Sequence, residues 1–568
     1  MTTDAVRPII PSRSATLAER WVAAFSLIWV AWVLLSPLRS DAPIITFPFD
    51  DTFYYLQIAR NLAHGHGSTF NGVVTTNGYH PLWLLVLTGV SAISTRYTFI
   101  LGFLIAAEVT AATAVYLLAR KLFANVAGPG VAASGVALVA TSLVVPMLAT
   151  GMETVLAVPF ALATLAYLTE IKEPIGFKQG AILGLLTSLT VLSRLDSAIL
   201  FGLLALAGGL NPAFRKFVTR PGVFGALLGL APLAFYLFLN HSLFETWLPV
   251  SGQAKQLKPF GFSFALFSQY LVKTQAATSV LPFLAVVLIP GHTRKLNPVH
   301  LTFFLAAIAF PFVHCALLAC LSDWPLWEWY AYSVPIAFVG ACSWAFGAKV
   351  YALATRPLLQ WSLVAYGAML CLYGRLPIYP DIGEGALKIS QFAMDHPGVY
   401  AMGDRSGTVG YVLDQPLVQT EGLVMDAGFL KKIRAQRDLL QVLKGYRVRY
   451  YVSSTLKPFQ SGPFKAIEPA LAGPQSPKMR STISQPPVAE FMVSGWYTRI
   501  FDLDSGPLGP PQIEAKAGLA SRQKKSPYRA PLSTARHSGS LTLGFVPRPL
   551  QGQRRGPDIP PLGNRVSG

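Results

Sequence analysis

Apolar runs recur along the chain from Trp21 to Gly374, separated by short stretches that hold most of the charge in that region. They fall at roughly 21–38, 99–119, 129–149, 155–170, 179–193, 197–210, 222–240, 276–290, 299–320, 329–348 and 358–374, about eleven in all. Runs of roughly 15–22 residues at this spacing predict bilayer-crossing helices. A further apolar run, 81–95, opens at Pro81 and is short for a span. The positive-inside rule decides how to count it. With a cytoplasmic N-terminus and 81–95 not crossing, the inner side holds fourteen Lys and Arg, from Arg7 to Arg356. The outer side then holds seven: Arg39, Arg60, Arg96, Arg194, Lys255, Lys258 and Lys273. If 81–95 crosses, most of the larger set moves outside. The run therefore reads as a juxtamembrane or re-entrant helix.

On this reading four polar stretches share the outer face: 39–80, Gly151-Met152-Glu153-Thr154, Arg194-Leu195-Asp196, and 241–262. Charges at a membrane boundary are expensive, and their convergence on one face is what an active site there needs. Within the first loop, residues 52–63 form an amphipathic helix whose apolar stripe, Tyr55, Ile58 and Leu62, is suited to lying on the membrane.

From about Leu376 the pattern changes. VYAMGD (399–404), PLVQTEG (416–422) and VRYYVSS (448–454) alternate like strands, and Asp426 to Gly445 reads as an amphipathic helix. By parity this small α/β domain is extracytoplasmic. Residues 504–568 lack apolar periodicity, are rich in Pro, Gly, Ser and Arg, and carry ten Lys and Arg against three Asp and Glu. Disorder is expected there. The organisation expected is a polytopic α-helical membrane domain (1–375), an extracytoplasmic α/β domain (376–503) and a basic tail (504–568).

Composition supports the membrane class: 52% of the chain is hydrophobic and only 13% charged. About 20 mixed polar residues precede the first run and no small-residue cleavage site follows it, so that run reads as a retained anchor rather than a signal peptide. The net charge of +19 is spread over short loops and the tail rather than along one helix face, which argues against nucleic acid and for anionic or phosphate-bearing lipids. Cys315, Cys320, Cys342 and Cys371 all sit in apolar runs and read as small buried side chains.

Asp50 and Asp51 are the strongest candidates for chemistry. Asp51 also serves as the acid that starts the helix 52–63, which leaves Asp50 without a bland explanation. The pair reads as a general base toward an acceptor hydroxyl or amine, or as the ligand of a divalent metal. Protonated His80, at the loop's return to the membrane, suits a phosphate oxygen, although it also suits a helix start. His64-Gly65-His66 lacks a second ligand pair and reads as a turn. Glu153 is a site acid or a helix-start acid. Arg194 and Asp196 interrupt an apolar run and either pair with each other or serve a site. Ser251-Gly252 followed by Lys255 suits phosphate contact through N–H groups and an ammonium. Trp324, Trp327, Trp329 and Tyr330 form an interfacial aromatic belt, or Trp327 and Trp329 stack on a sugar ring.

These stretches resemble a known family. DDTFYYLQIARNLAHGHGSTFNG…TNGYHPLW, then GMET, LSRLD, PVSGQAK, GDRSG (403–407) and QTEGLV (419–424) are similar to a bacterial family of membrane glycosyltransferase-like proteins in the GT-C superfamily. The broader group includes the protein O-mannosyltransferases and the lipid A aminoarabinose transferases. The resemblance spans roughly residues 20–460. It implies a multi-helix membrane domain, a catalytic acid in the first external loop and a polyprenyl-phosphate-linked sugar as donor. In the O-mannosyltransferases the loop's acidic pair precedes a His-Pro-Pro element; Asp50-Asp51 and His80-Pro81 match, with Leu82 in place of the second proline. The resemblance ranks Asp50, the first acid, above Asp51 as base, and puts Glu153 where the superfamily has a second acid beside the donor. The β-trefoil insertion of the mannosyltransferases is absent, so the acceptor stays open among glycan, lipid and protein.

The leading expectation is an inverting glycosyltransferase at the extracytoplasmic face of the cell (inner) membrane. Asp50 acts as base, Glu153 stands beside the developing positive charge, and Lys255, Arg194 and His80 face the phosphate, with Asp196, Trp327, Trp329 and Tyr330 in the binding surface. The metal requirement stays open. Two rivals remain: a transporter or flippase for a lipid-linked sugar, which would show inverted repeats and mid-span charges, and a non-catalytic membrane binding protein, which would tolerate loss of Asp50.

Overall fold

The computed structural model describes residues 13–39, 47–281, 297–349, 357–373, 380–456, 458–459 and 462–504. All belong to one compact unit, Met1–Ala515; a second, Lys516–Gly568, lies outside the described residues, as does the tail expected beyond residue 504. The apolar runs are helical: Arg13–Leu34, Tyr97–Ala127, Val131–Leu148, Thr154–Glu170, Phe177–Ser193, Ala198–Leu210, Pro298–Leu321, Ser333–Lys349 and Pro357–Tyr373. Most of the run 276–290 is outside the described residues. The run 222–240 is two helices, Arg220–Gly229 and Ala231–Phe244, bent by 43°, with Pro232 at the break unable to donate to the preceding turn.

Among the described residues four helices are long and apolar enough to cross a bilayer: Leu17–Leu34, Tyr97–Ala127, Val131–Leu148 and Val299–Leu321; the bent pair makes a fifth if it is one span. Eleven spans are thus not confirmed, because several apolar helices are shorter than the roughly 20 residues a span needs. The helix Pro81–Ile93 has 13 residues, a length of about 20 Å.

The first-loop helix, Asp50–Ala63, does not lie on the membrane. Tyr55 is 6% exposed and Ile58 0%. The face expected to meet lipid is buried in protein, with the Tyr55 hydroxyl bonded to Glu153 and to the His80 N–H; the helix Ser406–Val412 packs on another side, against Asp50, Phe53 and Tyr54. The imidazoles of His64 and His66 are exposed in the turn that ends the helix.

In the C-terminal part, β1 (Val399–Met402), β2 (Leu417–Gln419) and β3 (Val448–Thr455) fall where their alternation predicted. The expected helix over 426–445 is two, Ala427–Arg434 and Leu439–Gly445, separated by Gln436 at φ 48°. Four further strands, β4 (Phe464–Glu468), β5 (Met479–Ile483), β6 (Ala489–Val493) and β7 (Trp496–Asp502), and the helices Pro380–Asp395 and Ser406–Val412 complete it. The main sheet runs β2-β1-β3-β7-β6, with β1 parallel to both neighbours and β7 antiparallel to β3 and β6; β4 and β5 pair separately. Strand order reverses between β1 and β3, the place where α/β sheets present loops to ligands. A cavity of ≈ 440 Å³ opens there, lined by Gly403, Asp404, Ser453 and Glu468.

One apolar core runs without a break from the membrane helices through Phe53 and Tyr97 to Val409, Tyr411 and Tyr450 of the sheet part. A second joins Val250, Ala254 and Trp324 to Met425 and Phe429. Burial of both seams holds the sheet part against the loops that carry the candidate chemistry.

Candidate functional site

Asp50 and Asp51 occupy the first turn of Asp50–Ala63, where carboxylates meet the unpaired N–H groups of a helix start. They divide sharply in environment. Asp50 is 5% exposed, and its carboxylate is fully engaged by a segment more than 350 residues away. Oδ1 accepts from the Thr408 N–H (2.8 Å) and hydroxyl (2.7 Å), and Oδ2 accepts from the Gly407 N–H (3.1 Å). The approach is so close that a Cβ on Gly407 would fall 2.2 Å from the Asp50 carbonyl oxygen, which explains the glycine of GDRSG. Next to this contact Tyr54 and Ser406 share a hydroxyl–hydroxyl bond of 2.8 Å. Burial pushes the Asp50 carboxyl up, and the bonds from Thr408 and Gly407 pull against it.

Asp51 points the other way, into open space. It lines two chambers of ≈ 270 and ≈ 260 Å³ that share Asp51, Tyr54 and Lys255 as a common wall. Burial pushes its carboxyl up to about 7; the Lys255 ammonium opposes this, and the charges of Asp50, Asp404 and Glu153 add to it.

The first chamber gathers the stretches expected to converge: His80, Glu153, Arg194, Asp196, Lys255 and Tyr330 all line it. The GMET turn is tied to the first loop by the Thr52 hydroxyl donating to the Thr150 carbonyl (2.6 Å) and the Trp83 indole donating to that of Gly151 (3.2 Å). Glu153, 1% exposed, accepts from the Tyr55 hydroxyl (3.0 Å) on Oε2 and from Arg194 Nη1 (2.5 Å) on Oε1. Arg194 Nε donates to Asp196 Oδ1 (3.0 Å), which also accepts from the Tyr332 hydroxyl (2.8 Å), and His314 Nε2 lies 3.1 Å from Asp196 Oδ2. The guanidinium packs over the rings of Tyr332 (4.5 Å) and Tyr330 (5.1 Å). Burial disfavours that charge, but Asp196 and Glu153 outweigh it and hold Arg194 above its ordinary value; Arg194 and His314, against burial, hold Asp196 far below the carboxylate range.

Lys255 is the contrasting cation. Its ammonium donates to the Tyr330 hydroxyl (3.2 Å), and among the described residues no carboxylate lies within ion-pair distance. Burial works against its charge, while Tyr330, Asp51 and Glu421 keep its pKa above the lysine norm. The Ser-Gly turn expected before it is the first turn of the short helix Val250–Lys255, where the Ser251 and Gly252 N–H groups have no acceptor inside the helix.

His80 is placed in the site but not as the expected cation. Its Nδ1 accepts from the Leu195 N–H (3.2 Å), which a doubly protonated ring cannot do. Burial lowers its pKa, with Glu153 opposing. The aromatic belt is corrected too. Trp324 is 4% and Trp329 2% exposed, turned inward rather than to lipid. Trp329 and Trp327 stand 4.8 and 5.6 Å from the ring of Phe49, beside the acid pair.

The second chamber was not foreseen. It is lined by Asp51, Asp404, Glu421, Arg405, Trp327 and Trp496, among others. Arg405 sits in the left-handed region at φ 65°, pairs with Asp381 (2.5 Å) and lies over the Trp496 ring. Its signal in the sequence was the pair of motifs GDRSG and QTEGLV, whose residues 404, 405 and 421 carry the charges. Nothing local shows that they face residues 50 and 51. Among the described residues no three His, Cys, Asp or Glu side chains are grouped to hold a metal ion.

No protein-family model matches the chain, and no curated protein does. Solved structures do. ArnT from Cupriavidus metallidurans bound to undecaprenyl phosphate aligns over 84% of this chain and 100% of its own, at 12% identity and a TM-score of 0.50. The Archaeoglobus fulgidus oligosaccharyltransferase aligns over 76% of this chain and 69% of its own. Its apo form gives 12% identity and a TM-score of 0.43, and the form tethered to an acceptor peptide containing the NVT sequon gives 13% and 0.41. The likeness to ArnT shows a shared fold: this chain has the GT-C fold that its motifs resembled.

Proposed function

We propose that the protein is a membrane glycosyltransferase that moves a sugar from a polyprenyl-phosphate-linked donor to an extracytoplasmic acceptor, with Asp51 rather than Asp50 as the general base. The division between the two acids supports this most strongly. Asp50 has three donors on its two oxygens and is occupied in holding the sheet part in place. Asp51 faces the chambers and has a pKa near 7, where a base both stands ionised and accepts a proton readily.

The chamber chemistry assigns the remaining roles. The acceptor oxygen attacks the anomeric carbon as Asp51 takes its proton. The bond from that carbon to the phosphate oxygen breaks, and its electron pair leaves with the polyprenyl phosphate. Lys255, the cation without a carboxylate partner, meets the phosphate as negative charge develops on it. Arg194 is neutralised by Glu153 and Asp196; it holds those acids in place. Glu153 then stands as a fixed negative charge near the oxocarbenium-like carbon. Neutral His80 fixes the Leu195 backbone through Nδ1. The ArnT structure contains undecaprenyl phosphate, and a carrier of that class suits a chamber with an ammonium at its wall.

Binding of undecaprenyl phosphate to purified protein in nanodiscs tests the leaving-group assignment. Lys255→Ala is expected to weaken it roughly ten- to hundredfold, the scale of a lost charge-assisted hydrogen bond. Undiminished binding would contradict it.

A further inference from the structure

The chamber between the first loop and the sheet part has features that the transfer chemistry above does not use. Its acids are Asp50, Asp51, Asp381, Asp404 and Glu421, and its bases are Lys255 and Arg405. Asp50 is engaged by Gly407 and Thr408, and Asp381 by Arg405. Asp51, Asp404 and Glu421 remain to face the interior, Asp404 with only a loose pairing to Arg405 Nε at 3.9 Å.

Glu421 gives the chamber its direction. The residue is 2% exposed. Oε2 accepts from the Gln419 side-chain amide (3.2 Å), but Oε1 is buried and has no hydrogen-bond partner. Buried polar atoms are nearly always paired, so an unpaired carboxyl oxygen on a residue that lines the chamber marks the place of an absent hydrogen-bond partner. Burial, with Asp404 and Glu468 adding to it, raises the Glu421 carboxyl, and burial raises Asp404 to about 6. Apolar rings supply the rest of the wall: Trp327 and Phe49 on the first-loop side, Trp496 on the sheet side.

We infer that this chamber is the acceptor subsite and that it takes an uncharged sugar residue, bound through its hydroxyls to Glu421 and Asp404 and through a C–H face to the aromatic wall. The inference rests on the transfer reading above, and it names the acceptor class. Three considerations select that class. Sugar hydroxyls both donate and accept, so they suit the unpaired Glu421 Oε1 whether or not that carboxyl is protonated. A space whose burial already raises the carboxyls of Glu421, Asp404 and Asp51 disfavours a further anion. A volume of ≈ 260 Å³ falls below the roughly 300–1,000 Å³ of drug-sized sites and admits about one ring, not a folded segment. Asp51, on the wall common to both chambers, is placed to take the proton of a hydroxyl held here.

Saturation-transfer NMR on the full-length protein in nanodiscs tests this. The probes are a panel of neutral methyl glycosides (gluco, manno, galacto and arabino) and, as the anionic counterpart, methyl glucuronide. The same samples are assayed for undecaprenyl phosphate binding. At least one neutral glycoside is expected to bind, glucuronide is not, and Glu421→Ala and Asp404→Ala are each expected to weaken the neutral sugar about tenfold or more while undecaprenyl phosphate binding is retained. If undecaprenyl phosphate binds but no neutral glycoside does, the inference falls and the transfer reading stands. The same holds if glucuronide competes equally, or if the sugar binds both variants as well as wild type. Failure of wild-type protein to bind undecaprenyl phosphate removes the transfer reading, and this inference with it.

Discussion

Asp50 Oδ1 takes two hydrogen bonds from one residue, the backbone N–H and the hydroxyl of Thr408, at 2.8 and 2.7 Å. This contact fastens the start of the first-loop helix to the sheet part. It also gives adjacent acids different work, Asp50 in assembly and Asp51 in the chambers. The two substitutions should therefore separate. Asp51→Asn is expected to lower turnover by about 10²–10⁴-fold, the usual contribution of a general base, with the protein folded and donor binding intact. Asp50→Asn turns an acceptor into a donor against N–H groups and is expected to cost about 1–3 kcal/mol of stability, read as a lower unfolding temperature in detergent. The reverse pattern, a stable but inactive Asp50→Asn with an active Asp51→Asn, would restore the ranking that the family resemblance gave.

The Asp51 environment fixes two pH dependences of opposite sign. As a base with a pKa near 7, it should give a transfer rate that rises with pH through one ionisation near neutrality and then levels. Stability runs the other way. Its folded pKa lies above the unfolded value of about 3.9, so between about pH 4 and 7 the folded state holds the extra proton, and the associated stability is lost as pH rises through 7. Asp51→Asn should thus gain thermal stability relative to wild type at pH 8 and gain little at pH 5. His80, with a lowered pKa, contributes in the opposite sense in both proteins and cancels in that difference. A larger gain at pH 5 would contradict the assignment.

Gly151 stands in the left-handed region at φ 74°, and a Cβ there would sit 3.0 Å from Pro48 Cβ and 3.1 Å from Thr52 Cγ2. Gly151→Ala is expected to cost at least about 1–2 kcal/mol from backbone conformation alone and to lower turnover by displacing Glu153. Unchanged melting and unchanged rate would show that the GMET turn is not fixed by this glycine.

The hydrogen bonds between first loop and sheet part hold the two together, and the proposed topology, drawn from the charge count along the chain, has both at the exterior. With the native cysteines replaced, single cysteines at the exposed positions His66 and Lys465 should both react with an impermeant thiol reagent added from outside. Labelling of either only after permeabilisation would overturn the topology.

Much of this was legible from local pattern. Apolar period and length gave the helices, because a residue's burial in a membrane helix depends on its own run. Strand alternation gave β1, β2 and β3. The convergence of Asp51, His80, Glu153, Arg194 and Lys255 followed from putting polar stretches on one face. The failures have a common cause in distance along the chain. Tyr55 and Ile58 look like a lipid-facing stripe until Glu153, 98 residues on, claims the Tyr55 hydroxyl. Asp50 looks like the free acid until Thr408 occupies it, 358 residues away. Trp329 looks interfacial until Phe49 covers it. His80 reads as a cation until the Leu195 N–H claims Nδ1. In each case a partner remote in sequence decides the role.

The central claim is that Asp51 removes the acceptor proton while a sugar leaves polyprenyl phosphate. The most direct measurement follows a radiolabelled sugar on polyprenyl phosphate, incubated with wild-type or Asp51→Asn protein in nanodiscs with neutral glycoside acceptors. With wild type, label is expected to pass to a glycoside and free polyprenyl phosphate to accumulate in equal amount. With Asp51→Asn, both are expected to slow about 10²–10⁴-fold at undiminished donor binding. Label that stays on its carrier with wild type, while proteoliposomes move the intact lipid between leaflets, would contradict the claim and identify a transporter.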